Sequence, residues 1–480
     1  MSQTIFEKSQ KGQKAFSIPF HHAAFEKFSP TIPTRKEEIL LPEISELDLL
    51  RHFIPLSQKN MGIDTHFYPL GSCTMKLNPR VNEQAASLLE FCQSHPLAPD
   101  DSVQGNLQLI DELTQLLCSI CGMHSGTLLP NAGAQGELVG LKMIAAYHRK
   151  RAELERVEIL IPDSAHGTNP ATVTMSGMKT VPLKSCPSGD IDLEDLKSKL
   201  SNRTAGLMLT NPNTLGVFSA KILEITRLVH ESGGLLYYDG ANLNPLLGVV
   251  KIGEMGFDVM HINLHKTFST PHGGGGPGSG PVLCCQRLDP FLPVPRVLKK
   301  EGRYYVTDDF EDSIGGIASF HGNFGIYLRA YLYIKLHGMY GLRKVAEMAT
   351  LNANYLKKKI EPLFTIPYSQ PCFHEFVVQA DRYLGQGVRA LDIAKRLLDY
   401  GVHAPTVYFP LIIKECLLIE PTETESKATL DRFIEILEKI VEEIQTDIDL
   451  VLRAPHTYSV SRLNEVKAAK HPILTAKDIS

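Results

Sequence analysis

Lys266 stands between a short apolar segment and a run of glycines. The segment before it, Val259–Leu264, alternates apolar and hydrogen-bonding residues and predicts a strand. The segment after it contains Gly273–Gly276, four consecutive glycines that predict a loop whose backbone can approach a ligand closely. A lysine placed in this way can form an imine with a carbonyl cofactor once its amine has lost a proton. A surface lysine before a flexible loop gives the same pattern, and this stretch alone favours that simpler interpretation.

Asp239 supplies a second group that such a cofactor needs. The apolar run Leu235–Tyr238 predicts a strand that ends at Asp239, one strand and one crossover before Lys266. Pyridoxal phosphate requires a lysine to hold its aldehyde and a carboxylate to keep its ring nitrogen protonated, which makes the ring an electron sink. The two residues together therefore predict a pyridoxal-phosphate site.

Four segments extend this pattern and point to a family. They are Pro130–Glu137, Ala165–Ala171, Asp239–Asn242 and His265–Lys266. Lys266 with Asp239 resembles the fold-type I, aspartate-aminotransferase-like pyridoxal-phosphate enzymes. The four segments in combination resemble the glycine-cleavage P-protein family, over a stretch from about Tyr68 to beyond Pro405. At 480 residues, the chain is similar to the C-terminal half of the long P-proteins, which corresponds to subunit 2 of the split form.

This resemblance implies an activity and a set of partners. The implied reaction is that of glycine dehydrogenase (aminomethyl-transferring): pyridoxal phosphate assists the decarboxylation of glycine, and the aminomethyl group passes to the lipoyl group of the H-protein. The implied partners are glycine, lipoylated H-protein and a homologous glycine dehydrogenase subunit 1. We expect a heterotetramer with two chains of each subunit, because the active sites of fold-type I enzymes lie at a dimer interface.

The resemblance also implies the roles of individual residues. Ala132, Gly133 and Ala134 match the family's phosphate loop, at a helix start whose free backbone N–H groups can bind an anion. His166 is expected to stack on the cofactor ring and to act in catalysis with Lys266 and Asp239. The further cofactor contacts are Ala241, Asn242 and His265, and the candidate substrate-pocket residues are Tyr68, Ser72 and Thr74.

The composition excludes several classes of function. A net charge of -4, from 49 basic and 53 acidic residues, argues against a nucleic-acid binder that neutralises phosphates. The absence of an apolar run of about 18 residues argues against a membrane span. Nine cysteines scattered through the chain indicate reduced thiols and a cytoplasmic protein. We expect no metal site, because His261 and His265 lie on a predicted strand, where this spacing does not converge on an ion.

The order of the predicted elements indicates an α/β fold. Strands alternate with helices between Val157 and Cys285, which predicts a mainly parallel sheet flanked by helices, with ligand groups at the strand ends. We predict an N-terminal arm at 1–65 that wraps a partner, a large cofactor-binding domain at 66–335, a smaller α/β C-terminal domain at 336–450 and an extension at 451–480. The expected elements include a helix at Pro170–Met178, a returning strand at Pro281–Cys285 and a long helix at Ile326–His337.

Two other functions fit the same motifs. The chain could be another pyridoxal-phosphate decarboxylase or an aminotransferase, which would work without a lipoyl acceptor. It could also be a non-catalytic subunit of a split enzyme, although Lys266, Asp239 and the phosphate loop are all present.

Overall fold

The structure is a computed structural model that describes residues 3–15, 33, 35–37, 40–272, 278–458 and 460–475. The chain divides into two compact units, Met1–Thr65 and His66–Ser480. In the first unit, helix α1 (Glu46–Ser57) begins after Ser45, whose hydroxyl oxygen accepts a hydrogen bond from the backbone N–H of Asp48. Much of the predicted arm, and the whole of the glycine run Gly273–Gly276, lie outside the described residues.

The second unit is built on a large sheet. Its strands are β1 (Ser125–Thr127), β2 (Glu158–Pro162), β3 (Lys179–Leu183), β4 (Thr204–Thr210), β5 (Leu235–Asp239), β6 (Val259–His261) and β7 (Val282–Cys284). Their order is β1-β7-β6-β5-β4-β2-β3. Strands β2 to β6 are parallel to one another, whereas β7 is antiparallel to both β6 and β1. The predicted mainly parallel sheet and the returning strand are therefore confirmed, while β1 and β3 were missed.

Helices cover both faces of this sheet. They are α2 (Arg80–Ala86), α3 (Leu89–Cys92), α4 (Gln104–Cys121), α5 (Gly133–Lys150), α6 (Thr168–Met175), α7 (Leu193–Lys199), α8 (Ile222–Glu231), α9 (Leu264–Thr267) and α10 (Phe324–Ile360). One core contains Leu207 and Leu236, and another on the opposite face contains Met208 and Tyr237. Successive strand residues point to opposite faces, so a sheet buried on both sides needs the continuous apolar runs seen in β4 and β5.

Two helices differ from their predicted bounds. Helix α6 begins at Thr168 rather than Pro170, and α10 continues far beyond His337. A break at Gly338, where φ is 56°, divides α10 into two helical segments. None of the helices in the described ranges is long and apolar enough to cross a membrane.

A hairpin precedes α10, and a smaller antiparallel sheet follows it. The hairpin consists of two strands that were not predicted, β8 (Arg296–Lys300) and β9 (Arg303–Thr307). The small sheet contains β10 (Phe376–Gln379), β11 (Thr406–Val407) and β12 (Cys416–Ile419), and the accompanying helices are α11 (Ala390–Asp399), α12 (Lys427–Thr446), α13 (Ile448–Leu452) and α14 (Glu465–Lys470). Residues 66–71, which the sequence prediction placed with the large domain, pair with this part of the fold through the Phe67–Val402 and Leu70–Ile419 bridges.

The chain around Lys266 differs from the predicted extended strand. Strand β6 ends at His261, and the single turn of α9 carries Lys266. The carbonyl oxygen of Asn263 accepts hydrogen bonds from the N–H groups of Lys266 and Thr267, so the chain turns into a helix as soon as it leaves the sheet. The predicted strand was three residues too long because an alternating pattern does not show where such a turn begins.

Close packing of α5 on the sheet depends on Gly140. A Cβ atom at this position would lie 2.2 Å from Cε2 of the buried Tyr237 ring, whose hydroxyl is held by His261. We expect Gly140→Ala to lower the free energy of unfolding by about 1–3 kcal/mol, as overpacking does in cores. Urea denaturation would measure this loss. The control is Gly105→Ala in α4, where no atom lies within 4 Å and alanine should be neutral or stabilising. Equal stabilities of the two variants would contradict this account of the packing.

Candidate active site

A cavity of about 210 Å³ lies where β4, β5 and β6 end. Most of the predicted site residues line it: Ser72, Gly133, Ala134, His166, Asp239, Ala241, Asn242, His265 and Lys266. Side chains that follow parallel strands meet at one edge of a sheet, which explains how residues far apart in sequence converge here.

Lys266 enters the cavity from α9 and is held by a loop. Its Nζ donates a hydrogen bond of 2.9 Å to the carbonyl oxygen of Ser72. Ser72 has a left-handed backbone, with φ at 63°, and its own N–H donates to Oε2 of Glu375 at 2.6 Å. The lysine amine is therefore positioned by a backbone that a carboxylate of the small sheet keeps in an uncommon conformation.

Asp239 is buried at the end of β5 and is held in its ionised form. Burial by itself would raise its pKa, but His261, Asn169 and the N–H of Ala241 outweigh burial and keep the pKa below the usual value. Asn169 Nδ2 donates to Oδ2 at 3.0 Å, and the Ala241 N–H donates to Oδ1 at 2.9 Å. His261 Nε2 lies 3.4 Å from the same Oδ1. The carboxylate can accept a further proton donor placed in the cavity.

Glu137 lies beside Asp239 and has the opposite protonation behaviour. Burial, and then the charge of Asp239, raise the pKa of Glu137 to about 7. Its Oε1 accepts a hydrogen bond of 2.9 Å from the Thr168 hydroxyl. Two neighbouring carboxyls in a poorly solvated site resist ionising together, so Asp239, whose pKa is lowered by His261, Asn169, Ala241 and Lys266, carries the charge while Glu137 keeps its proton below about pH 7.

The first turn of α5 lies at another wall of the cavity. Ala132 precedes the helix in an extended conformation, and no side chain of the described residues caps it. A Cβ atom at Gly133 would lie 2.3 Å from Asn263 Nδ2, so the helix start is pressed against the end of β6. Free N–H groups and the positive end of an 18-residue helix favour a phosphate at this place.

Two histidines border the cavity in neutral form. Partial desolvation and the charge of Lys266 lower the pKa of His166, and its Nδ1 accepts from the Thr168 N–H at 3.2 Å. The Thr168 hydroxyl oxygen lies 3.0 Å from the same ring nitrogen. Burial, followed by the neighbouring His272 and Lys266, lowers the pKa of His265 to about 3. Neither ring adds positive charge beside Lys266 at neutral pH.

Three predicted residues lie around the cavity but do not line it within the described ranges. Tyr68 stacks on His403, with ring centroids 3.6 Å apart, and the Thr74 hydroxyl donates to Oε1 of Glu420. Ala132 precedes α5. The residues that the prediction missed among the lining are Glu137, Thr168, Thr210, His261 and Asn263. Most of them begin α5 or α6 or follow strand ends, and this position was the available signal.

Comparison with known proteins identifies the family of this chain. A relative from Caldanaerobacter subterraneus subsp. tengcongensis, named probable glycine dehydrogenase (decarboxylating) subunit 2, is 53% identical over 473 residues, with 98% of both chains covered. The chain belongs to this family. A relative of the same name from Staphylococcus saprophyticus is 52% identical over 481 residues, covering 100% of this chain and 98% of its own. The family model for the glycine dehydrogenase C-terminal domain matches residues 345–456, and that for class-V aminotransferases matches residues 139–276.

Solved structures show the same fold. The crystal structure of an inhibitor-bound glycine decarboxylase (P-protein) of the glycine cleavage system matches with a TM-score of 0.70 at 20% identity, covering 87% of this chain and 93% of that one. A glutamate decarboxylase from Lactobacillus brevis matches with a TM-score of 0.64 at 14% identity, covering 87% and 96%. This member of the glycine dehydrogenase subunit 2 family therefore has the fold-type I architecture of pyridoxal-phosphate enzymes.

The raised pKa of Glu137 predicts a measurable pH dependence of stability. An unfolded glutamate ionises above about pH 4.5. Folded Glu137 keeps its proton until about pH 7, so the folded state binds more protons in this window and loses stability as pH rises. Glutamine cannot ionise. We expect the stability of Glu137→Gln relative to the parent to increase by about 2–3 kcal/mol from pH 4.5 to pH 7.

Urea denaturation at several pH values would test this, with the exposed Glu438→Gln as the control. Parallel curves for the parent and Glu137→Gln would show that Glu137 ionises normally in the folded protein.

Proposed function

We propose that this chain is the pyridoxal-phosphate-binding subunit of a split glycine decarboxylase, which passes the aminomethyl group of glycine to the lipoyl group of an H-protein. The observation that carries the proposal is the meeting of Lys266, an ionised Asp239 and the open start of α5 in one cavity. Family membership supports glycine as the substrate. The name of the related P-protein structure supports a place in a glycine cleavage system.

The residues present fit pyridoxal phosphate. The start of α5 offers uncapped N–H groups for the phosphate, and Asp239 offers an acceptor for a protonated ring nitrogen. The Thr210 hydroxyl is buried on the cavity wall with no hydrogen-bond partner in the described part of the chain, so it is available to a ligand. Lys266 would hold the aldehyde carbon through Nζ, and His166 would cover the ring. Ala241, Asn242 and His265 would complete the contacts.

The chain's own groups can then prepare the reaction. When bound, pyridoxal phosphate supplies an electrophilic carbon and a ring that accepts the electron pair released as carbon dioxide leaves. Asp239 must remain ionised to hold a proton on the ring nitrogen, and its hydrogen bonds with Asn169 and Ala241 keep it so. Lys266 Nζ must lose a proton to become a nucleophile, and the adjacent Ser72 carbonyl orients it. Because His166 and His265 are neutral, neither places a second positive charge beside Lys266.

The assembly and location are also part of the proposal. The relatives are named as second subunits, so we infer a homologous subunit 1 and a heterotetramer with two chains of each kind. We assign residues 66–335 to the cofactor-binding part and 336–450 to the smaller part, with 1–65 and 451–480 as flanking segments that contact partners. All nine cysteines are free thiols, which fits a cytoplasmic enzyme.

Removal of the Lys266 amine should prevent covalent attachment of the cofactor while the protein still folds. We expect Lys266→Ala to fold, to carry no borohydride-trapped cofactor and to lose glycine-dependent carbon dioxide exchange. Peptide mass spectrometry after borohydride treatment would locate the modified residue in the parent enzyme. Lys142→Ala, which removes an exposed lysine on α5, should behave like the parent. Trapped cofactor at another lysine would refute the assignment of Lys266.

Loss of the Asp239 charge should lower the rate of carbon dioxide exchange more than it lowers cofactor binding. An amide cannot hold a proton on the ring nitrogen as a carboxylate does, so we expect Asp239→Asn to lower the exchange rate about 10²-fold or more while some cofactor stays bound. Cofactor content and exchange rate would be measured on the same sample. Asp381→Asn, at an exposed aspartate, is the control. A parental rate in Asp239→Asn would leave Asp239 with a structural role only.

The proposed function is tested by reconstitution. Carbon dioxide exchange with glycine would be measured for this chain alone, with subunit 1, and with subunit 1 plus lipoylated H-protein. We expect substantial activity only in the last mixture. Exchange that does not depend on H-protein would indicate a different decarboxylase, and full activity of the isolated chain would remove the need for subunit 1.

A further inference from the structure

A second group of buried titratable side chains lies next to the cavity. His374 and Glu375 are completely buried, Glu420 is 1% exposed, and their potential ligand atoms all lie within 4.8 Å of one another. In the described part of the chain, both ring nitrogens of His374 and the Oε2 atom of Glu420 have no hydrogen-bond partner. Unpaired polar atoms are costly in a protein interior, so this cluster requires a physical explanation.

The two carboxyl groups have unequal surroundings. Glu375 Oε2 accepts from the Ser72 N–H at 2.6 Å, and Oε1 accepts from Asn242 Nδ2 at 3.0 Å. Both oxygens of Glu375 are thus acceptors, as in an ionised carboxylate. Glu420 accepts from Thr74 at Oε1 alone, which leaves Oε2 as the atom that can carry a hydrogen.

The surroundings of Glu375 and Glu420 favour one negative charge on this pair of carboxyl groups rather than two. Burial raises the pKa of Glu420 well above its usual value, with Glu375 as the next cause. Burial raises the pKa of Glu375 to about 7, against the opposing effects of the Ser72 N–H, Lys266 and Asn242. The pKa of His374 falls to about 3 because it is buried and close to Lys266, so its ring is neutral.

Two further groups lie within electrostatic range of Glu420. They are Glu423, whose charge opposes a second carboxylate, and the Cys73 thiol, whose pKa is raised by burial. Glu423 is already paired with Lys76, so that lysine does not compensate Glu420. Lys266 is therefore the positive charge available to the pair in the described structure.

We propose that Glu375 and Glu420 form an unequal pair, in which Glu420 stays protonated and ionised Glu375 acts as a positioning residue for Lys266. Glu375 fixes the N–H of Ser72, and the carbonyl oxygen of Ser72 then receives Lys266 Nζ. The same carboxylate holds Asn242, which follows Asp239. The Glu375 carboxylate thus positions both the Ser72 backbone, which holds Lys266, and the Asn242 side chain. Its single negative charge balances the single positive charge of Lys266. This role of Glu375 rests on the proposed function, but the protonation of Glu420 does not.

A divalent cation bound by these atoms is the alternative to a protonated pair. Imidazole nitrogen and carboxylate oxygen are ligands that zinc uses, but a cation would require both glutamates to be ionised. The protonated pair and the metal site therefore predict opposite states of Glu420.

Infrared difference spectroscopy of the cofactor-free protein distinguishes the two states. At pH 8, above the pKa of Glu375, we expect a protonated-carboxyl band that shifts in D₂O. This band should be lost in Glu420→Gln and retained in Glu375→Gln and in the exposed control Glu438→Gln. In the parent protein further protonated-carboxyl absorption should appear as pH falls through about 7, when Glu375 and Glu137 both take up protons. The component that Glu375→Gln lacks belongs to Glu375. The parent and Glu420→Gln suffice if Glu375→Gln does not fold, since glutamine at 420 mimics the protonated acid.

The reconstituted enzyme tests the positioning role separately. We expect the exchange rate of the parent to fall below about pH 7 as Glu375 becomes protonated. Glu375→Gln should lose this acid limb and reduce kcat about 10²-fold with a smaller change in KM, as a misplaced reacting group does. Glu420→Gln should keep the fall in exchange rate below about pH 7.

Three results would overturn the proposal: a carboxyl band that persists in Glu420→Gln, an acid limb that persists in Glu375→Gln, or a stoichiometric metal ion that both substitutions abolish. Elemental analysis of the purified protein would detect the metal. If the infrared pattern is found but no mixture shows exchange, the protonated pair stands, whereas the positioning role fails together with the proposed function.

Discussion

The site depends on keeping Asp239 ionised inside a poorly solvated cavity. Removal of a carboxylate from water is costly, and here the cost is offset by Asn169, the Ala241 N–H and His261. Each of these groups comes from a different element, so α6, the turn after β5 and the end of β6 must all be in place before the charge is tolerated. The groups that stabilise this charge thus link the fold of the sheet to the chemistry at its edge.

A second constraint is the close contact between α5 and the sheet. Gly140 lets the helix approach Tyr237, and Gly133 lets its first turn reach Asn263. The start of α5 consequently lines the same cavity as Asp239. A helix with larger residues at these two points would carry the same N–H groups but would hold them away from the cavity.

The sequence was most informative where a local pattern determines position. The apolar strands that precede Asp239 and Lys266 identified two walls of the cavity, because parallel strands bring their carboxyl ends together. The end of β6 at His261 was missed, since alternation does not reveal the helical turn that follows. Glu375 was missed for a different reason. It bonds to Ser72 across 303 positions of sequence, and a glutamate beside an apolar strand carries no local sign of such a contact.

The pairing of residues 66–71 with the small sheet has a consequence for how the chain is made. The Thr406 hydroxyl donates to the carbonyl oxygen of Gly71 across 335 positions, and Phe67 packs into the core around Phe433. During synthesis, this early segment leaves the ribosome long before the strands that receive it. At about 5–20 residues per second, it waits for tens of seconds with its apolar side chains unburied. The nascent chain therefore passes through a long interval in which a chaperone can bind this segment, and the small sheet closes only after residues 402–419 have been synthesised.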